Sequence, residues 1–206
     1  MGGIQMVHLH LMLLVLIAGA VQDQDKKKPY MIGEDGPVTE RGSTRVLYWS
    51  PQKDMALGEF AINYGRPVWK KEYEDSAKFD SITKGKTWRL GKDYWTTLDT
   101  NIPIKVGGKD VAVGQYYLGL ARSKDGATWS LAFLDPSKVR SMKLDAFEIE
   151  RAPILFQVPV SSGQATTASE KLTIVLSYPK DSPKNVTMKI AWGKLQVSVP
   201  IQATVN

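Results

Sequence analysis

Alternation at the C-terminal end constrains this chain more than any other feature. Val186, Met188, Ile190 and Trp192 occupy every second position, Gly193-Lys194 intervenes, and Leu195, Val197, Val199 and Ile201 then alternate again. A period of two sends successive side chains to opposite faces of a strand, whereas an amphipathic helix repeats its apolar positions every three to four residues. Residues 186–201 therefore read as β structure. Gly followed by any residue suits a two-residue type II′ turn. With that turn, Trp192 faces Leu195, Ile190 faces Val197, Met188 faces Val199 and Val186 faces Ile201, all on one side. The sequence predicts a hairpin closing at Gly193-Lys194.

The same pattern recurs upstream. A turn at Asp125-Gly126 sets Leu120 against Leu131, Leu118 against Phe133 and Arg122 against Trp129, the last a candidate cation–π pair. Gly107-Gly108 is a third tight-turn signal, and Val113-Gly114-Gln115 leads into a strand at Tyr116-Tyr117-Leu118. Further strands are expected over residues 59–63, 94–100, 154–160 and 171–178. Residues 161–169 (SSGQATTAS) read as a small polar loop. Residues 136–146 are the single helical candidate, one or two turns that Asp135 can cap. Seven to ten short strands with one apolar face each must bury those faces against one another. The expected fold is all-β, a single antiparallel β-sandwich (jelly-roll, Ig-like or barrel-like) with at most one short helix. It occupies residues 45–206.

Two segments precede that domain. Residues 11–20 (LMLLVLIAGA) are apolar but far shorter than a bilayer span, which needs about 20 residues. They end in Ala18-Gly19-Ala20 and are followed by the polar stretch from Val21, which predicts a signal peptide over residues 1–20 with cleavage after Ala20. The leader has no Lys or Arg before its apolar run, and Lys26-Lys27-Lys28 follows it, the reverse of the usual bias; an uncleaved anchor is the rival reading. Residues 21–44, rich in charge, Gly and Pro, read as a flexible arm. The expected localisation is exported, periplasmic or extracellular.

Composition removes much chemistry from the exported form. The 206 residues contain no Cys, and the two histidines, His8 and His10, both lie in the leader. Cys/His zinc sites, Ser-His-Asp triads, thiol nucleophiles and disulfides are excluded from a mature chain that starts at Val21. No cofactor is implied, and no EF-hand spacing offers a calcium loop. Lys and Arg number 27 against 21 Asp and Glu, a net charge of +6. Charged partners are thus expected to be anionic, a glycan or an envelope polymer; no recognition helix or aromatic RNA-binding motif points to nucleic acid. The triplet Asn185-Val186-Thr187 matches the glycosylation sequon.

One region breaks the alternation. Residues 64–95 hold three of the six tryptophans together with Arg66, Lys70, Lys71, Arg89 and Lys92. Pro67 drives Arg66 toward an extended backbone, so Gly65-Arg66-Pro67 makes a rigid corner that aims one guanidinium. Rings stack on sugar faces and a guanidinium forks an anion, so Arg66, Trp69, Trp88, Arg89 and Trp95 are the candidate binding residues. The competing structural reading has the same residues pinning a long loop to a sandwich edge. The alternative to a non-enzymatic binding or structural envelope domain is a carboxylate enzyme acting on glycans, with acids drawn from Glu72, Asp75, Asp80 and Asp93.

Gly65-Arg66-Pro67, then Trp88-Arg89-Leu90-Gly91, then Gly107-Gly108 followed by Val113-Gly114-Gln115-Tyr116-Tyr117, with Trp129 in the next strand, resemble the bacterial family DUF2911. The resemblance covers residues 59–133, with Trp192-Gly193 a further match. It implies an exported β domain and brings no reaction with it. Arg66 and Arg89 fall on the family pattern residue by residue. After the WR-x-G element that pattern has an Asn-Glu-Ala-Thr stretch, where this chain has Asp93-Tyr94-Trp95-Thr96.

Overall fold

The computed structural model describes residue 36 and residues 39–205. The leader, its cleavage site and most of the expected arm lie outside the described residues. In chain order the elements are β1 (Arg41–Ser50), β2 (Met55–Gly65), α1 (Ser76–Thr83), β3 (Thr87–Trp88), β4 (Thr96–Thr100), β5 (Ile104–Val106) and β6 (Lys109–Val111). They continue with β7 (Gly114–Arg122), β8 (Trp129–Leu134), α2 (Pro136–Ser141), β9 (Ile154–Ser177) and β10 (Asn185–Ala203). Short 3-10 turns lie at Lys71–Glu74 and Ala146–Arg151. The fold is all-β. No helix among the described residues is long and apolar enough to cross a membrane.

Hydrogen bonding runs β1-β2-β4-β7-β8-β9-β10-β5-β6, with β3 also on β7, and each pairing is antiparallel. The path bends into two layers because β9 changes partners. Its first part pairs with β8 (Val158 opposite Leu131), and its later part pairs with β10 (Ile174 opposite Ile190). The first edge then folds over onto β9: Tyr64 Oη accepts from the Ile174 amide (2.9 Å) and Thr44 Oγ1 from the Leu176 amide (3.3 Å). One core fills the interior, with Phe60, Ile62, Leu118 and Leu131 from one layer against Ile174, Ile190, Val197 and Ile201 from the other. Fully burying each such side chain contributes about 1.5–3 kcal/mol. A smaller core of Trp95, Tyr117, Leu134, Val139 and Ile149 lies under α2 and the second 3-10 turn.

The upstream turns form with the expected register. Arg122 faces Trp129, Leu120 faces Leu131 and Leu118 faces Phe133. Gly107 and Gly108 both take positive φ (53° and 86°), as a two-residue hairpin loop requires, and Val106 pairs with Lys109. Asp135 caps α2 by accepting from the Ser137 amide at 2.8 Å.

Four expectations need correction. There is no hairpin at Gly193-Lys194: β10 runs straight through, and the backbone bulges at Gly193 (φ 57°) opposite Ser169. The register breaks on both sides of Gly193, where β9 runs from Thr173 to Gln164 while β10 runs only from Ala191 to Leu195, and such a break moves the apolar phase from even to odd numbers as a two-residue turn would. Val186 to Trp192 and Val197 to Ile201 therefore share one buried face under either geometry, and the pattern alone does not distinguish them. Residues 161–169 are strand, not loop. They lack alternation because neither face is covered, although residues 161–164 pair with residues 195–198. A second short helix, α1, joins the one expected. It buries only Thr83 and is held by Asp75, whose carboxylate accepts from the Ala77 and Lys78 amides, so it has no apolar stripe to read. Finally, the sheet starts at Arg41, inside the expected arm, because residues 41–44 pair along β2.

Candidate functional site

The Gly65-Arg66-Pro67 corner ends β2 and is locked on three sides. A Cβ on Gly65 would overlap the Lys92 carbonyl oxygen. The Pro67 carbonyl accepts from the Leu172 amide (3.0 Å) and from Trp192 Nε1 (3.0 Å). Arg66 does not reach into a cleft: Nη1 pairs with Glu40 (2.6 Å) and Nε donates to the Leu172 carbonyl (3.2 Å). Lys171 joins the same carboxylate, and these two cations hold the Glu40 pKa below the ordinary value, the Lys171 hydrogen bond contributing most.

Beyond the corner the chain delivers Trp69 onto the bulge of β10. A side chain at Gly193 would fall inside the Trp69 indole, so the bulge glycine is a seat for that ring. Around it the aromatics interlock. Trp69 meets Trp192 edge-on (centroids 4.9 Å), Tyr73 edge-on (5.4 Å) and Phe79 at a tilt (5.7 Å), while Trp88 stacks on the far side of Trp192 (4.8 Å). Each pair adds about 0.5–1.5 kcal/mol beyond area burial. Arg122 closes the end of the cluster, 5.1 Å from the Trp129 ring and 5.7 Å from that of Phe79, which realises the cation–π pair expected across the β7–β8 hairpin. Its donors are committed to Asp80 (2.7 Å), Thr83 Oγ1 (2.8 Å) and the Gly126 carbonyl (3.0 Å).

Between this cluster and the bent strands opens a groove of about 680 Å³. Trp69, Tyr73, Phe79 and Trp129 supply rings, and Glu74, Asp80, Arg122, Gln164 and Lys194 supply polar groups. Ser162, Gly163 and Ala168 of β9 are small and leave it open; a Cβ on Gly163 would meet nothing within 4 Å. The lining carries two acids and two bases and so no net charge. A second concavity of about 790 Å³, lined by residues such as Pro103, Lys105, Asp110, Lys184 and Gln202, contains no aromatic ring.

Of the five residues singled out from sequence, only Trp69 lines the groove. Trp88 supports it from behind through Trp192, and Arg66 is an ion-paired pin. Trp95 belongs to the smaller core, 3% exposed and stacked on Tyr117 at 4.7 Å. Arg89 lies over the Phe147 ring at 3.7 Å. They do not share one surface, because Trp88 on β3 packs on the main core and Trp95, just before β4, belongs to the smaller one. Sequence reading passed over Phe79, Gln164 and Lys194 as groove residues, since they come from three distant elements; the Arg122–Trp129 register was the one local clue.

The candidate acids are similarly dispersed. Glu72 faces Lys70 (3.7 Å), Asp75 caps α1, and Asp93 faces Lys92 (3.7 Å). Only Asp80 lines the groove, and hydrogen bonds from Lys84 and then Arg122 hold its pKa below the usual carboxylate value. A glycosidase acid needs a raised pKa, which is the opposite of the shift at Asp80. No group of three or more potential ligands among the described residues is placed to hold a metal ion.

Fold and groove together define a single β-sandwich domain with an aromatic-walled, charge-balanced groove along its bent strands. The chain belongs to the family described as "Protein of unknown function (DUF2911)", whose profile matches residues 50–201, well beyond the stretch that carried the resemblance. Neither a search of curated proteins nor one of solved structures found a match.

Proposed function

We propose that this protein is a non-catalytic binding domain of the cell envelope, exported by its leader, and that the groove takes a sugar ring of a glycan. The observation that carries the reading is the groove wall: three half-buried rings, Trp69, Tyr73 and Phe79, beside Gln164, Lys194 and Glu74. Aromatic faces pack on the C–H face of a sugar while polar groups at the edge meet its hydroxyls. The balanced charge of the lining favours an uncharged ring there. The basic surplus of the chain supports an anionic polymer as the wider partner. Ion pairing of Asp80 supports binding over hydrolysis.

The test uses a variant that blocks the groove without disturbing the fold. Gly163 sits on an exposed strand with open space around its Cβ position, so Gly163→Phe fills the groove at a stability change within about 0.5 kcal/mol. Full-length protein is screened against neutral and acidic oligosaccharides by thermal shift and tryptophan fluorescence. Binding by the wild type that disappears in Gly163→Phe and weakens in Tyr73→Ala supports the groove. Binding that survives Gly163→Phe refutes it.

A further inference from the structure

The chain has seven arginines, all among the described residues. Four carry a carboxylate at ion-pair distance: Arg45 with Glu59, Arg66 with Glu40, Arg122 with Asp80 and Arg151 with Glu148. The other three, Arg41, Arg89 and Arg140, have none among the described residues, and all three surround the loop at residues 90–95. Arg41 donates from Nη2 to the Trp95 carbonyl (3.0 Å) and lies 6.0 Å from the Tyr94 ring. Arg89 donates from Nε to the Gly91 carbonyl (3.3 Å). Arg140, from α2, lies 5.8 Å from the ring of Tyr117, on which Trp95 stacks.

Two of these guanidinium groups are also short of acceptors. Nη1 of Arg41 and Nη1 of Arg89 are buried with no hydrogen-bond partner. A buried, unanswered charged donor costs far more than a satisfied one. Burial lowers the pKa of both arginines, while the nearby acids oppose it only at a distance. Those acids are occupied elsewhere: Asp93 faces Lys92, and Asp145 caps the 3-10 turn by accepting from the Phe147 amide at 2.8 Å. The loop itself is stiff. Leu90, wholly buried, and Asp93 both hold positive φ (51° and 63°), a backbone that costs about 1–3 kcal/mol per residue and persists only when its surroundings impose it. Where this chain uses arginine as a pin, it supplies a carboxylate at ion-pair distance; around residues 90–95 the one carboxylate, Asp93, faces Lys92, and none lies within ion-pair distance of the three arginines among the described residues.

We infer that Arg41, Arg89 and Arg140 form a site for an oxyanion, a phosphate or carboxylate group, at the loop of residues 90–95. Such a group answers the unmet donors and is the planar partner that guanidinium forks match. The site is separate from the groove, and neither depends on the other.

Arginine side-chain Nε–Hε resonances of the full-length protein, titrated with sodium phosphate and separately with sodium acetate at ionic strength held constant with chloride, report on it directly. Saturable shifts at Arg89 and Arg140, with Arg151 unmoved, are expected. Arg89→Gln weakens phosphate about tenfold or more, and Arg140→Gln, which removes an exposed side chain, weakens it about fivefold. Arg140→Gln decides the matter if Arg89→Gln fails to fold. Tighter phosphate than acetate identifies a phosphoryl ligand, and the reverse a carboxylate; both support the site. Shifts that never saturate, or an Arg140→Gln protein that binds like Arg151→Gln, overturn it.

Discussion

Replacing Gly193 by alanine strikes the point where the fold and the groove meet. Two costs add. The residue sits at φ 57°, and moving an L side chain into the left-handed region costs about 1–2 kcal/mol. The new methyl also falls inside the Trp69 indole, and forcing a packed ring aside costs about 1–3 kcal/mol. The expected loss is about 2–5 kcal/mol, a large part of the about 5–15 kcal/mol that holds a typical domain together. With a urea slope near 2 kcal/mol/M the midpoint falls by about 1–2.5 M. Gly108→Ala is the matched control: positive φ (86°) but nothing within 4 Å of its Cβ, so it incurs only the backbone cost. In a Trp69→Ala background the Gly193→Ala penalty shrinks toward that of Gly108→Ala, because the collision is gone. Equal losses for Gly193→Ala and Gly108→Ala in the wild-type background would refute the seat.

Three other outcomes follow from the contacts. Arg122→Met removes the bonds to Asp80, Thr83 and the Gly126 carbonyl, while Lys84 stays on Asp80 and the Thr83 hydroxyl stays on the Phe79 carbonyl, so it destabilises by about 1.5–3 kcal/mol in urea; Arg45→Met, which breaks an exposed pair, changes stability by less than about 1 kcal/mol. Asp145→Ala removes the capping box of the second 3-10 turn and costs about 1 kcal/mol. The carboxylates of Glu40, Asp80, Asp125 and Asp135 all have lowered pKa values. The unfolded chain binds protons before the folded one, so the stability they contribute is complete at neutral pH and is lost as pH falls through the lowered values. Urea midpoints measured from pH 7 downward decline on the acid side. High salt blunts the share from Glu40 and Asp80, whose partners are cations, and leaves the share from Asp125 and Asp135, which serine hydroxyls hold, largely unchanged.

Sequence legibility followed burial. Where one face of a strand is covered and the other wet, as at Val186, Met188 and Ile190 and at Val197, Val199 and Ile201, the alternation states the strand; at Leu118, Leu120, Leu131 and Phe133, where both faces are buried, the Asp125-Gly126 turn states the register. Where both faces are wet, as at residues 161–169, small polar residues leave no period and the strand reads as a loop. Gly193 failed for a different reason: turn and bulge impose the same phase change, and only the partner strand, about 25 residues upstream at Ser169, decides between them. α1 was hidden because Asp75 and the Asp80–Arg122 pair hold it, rather than an apolar stripe. The candidate site was legible only in part. Trp69 and the Arg122–Trp129 pair stood out locally, but a groove assembled from α1, β8, β9 and β10 has no sequence spacing. The arginine cluster was equally concealed, since Arg41 lay in the apparent arm and Arg140 in a helix whose role was only to cap the small core.

Continuity of β10 through Gly193 underlies the Trp69 seat, the aromatic cluster and the groove, and nuclear Overhauser contacts between strands measure it directly. A continuous strand gives contacts from Ile190 to Ile174 and from Val197 to Ser162, while Ile190 and Val197 stand seven residues and about 20 Å apart along β10. A direct Ile190–Val197 contact, with those to Ile174 and Ser162 missing, would contradict it.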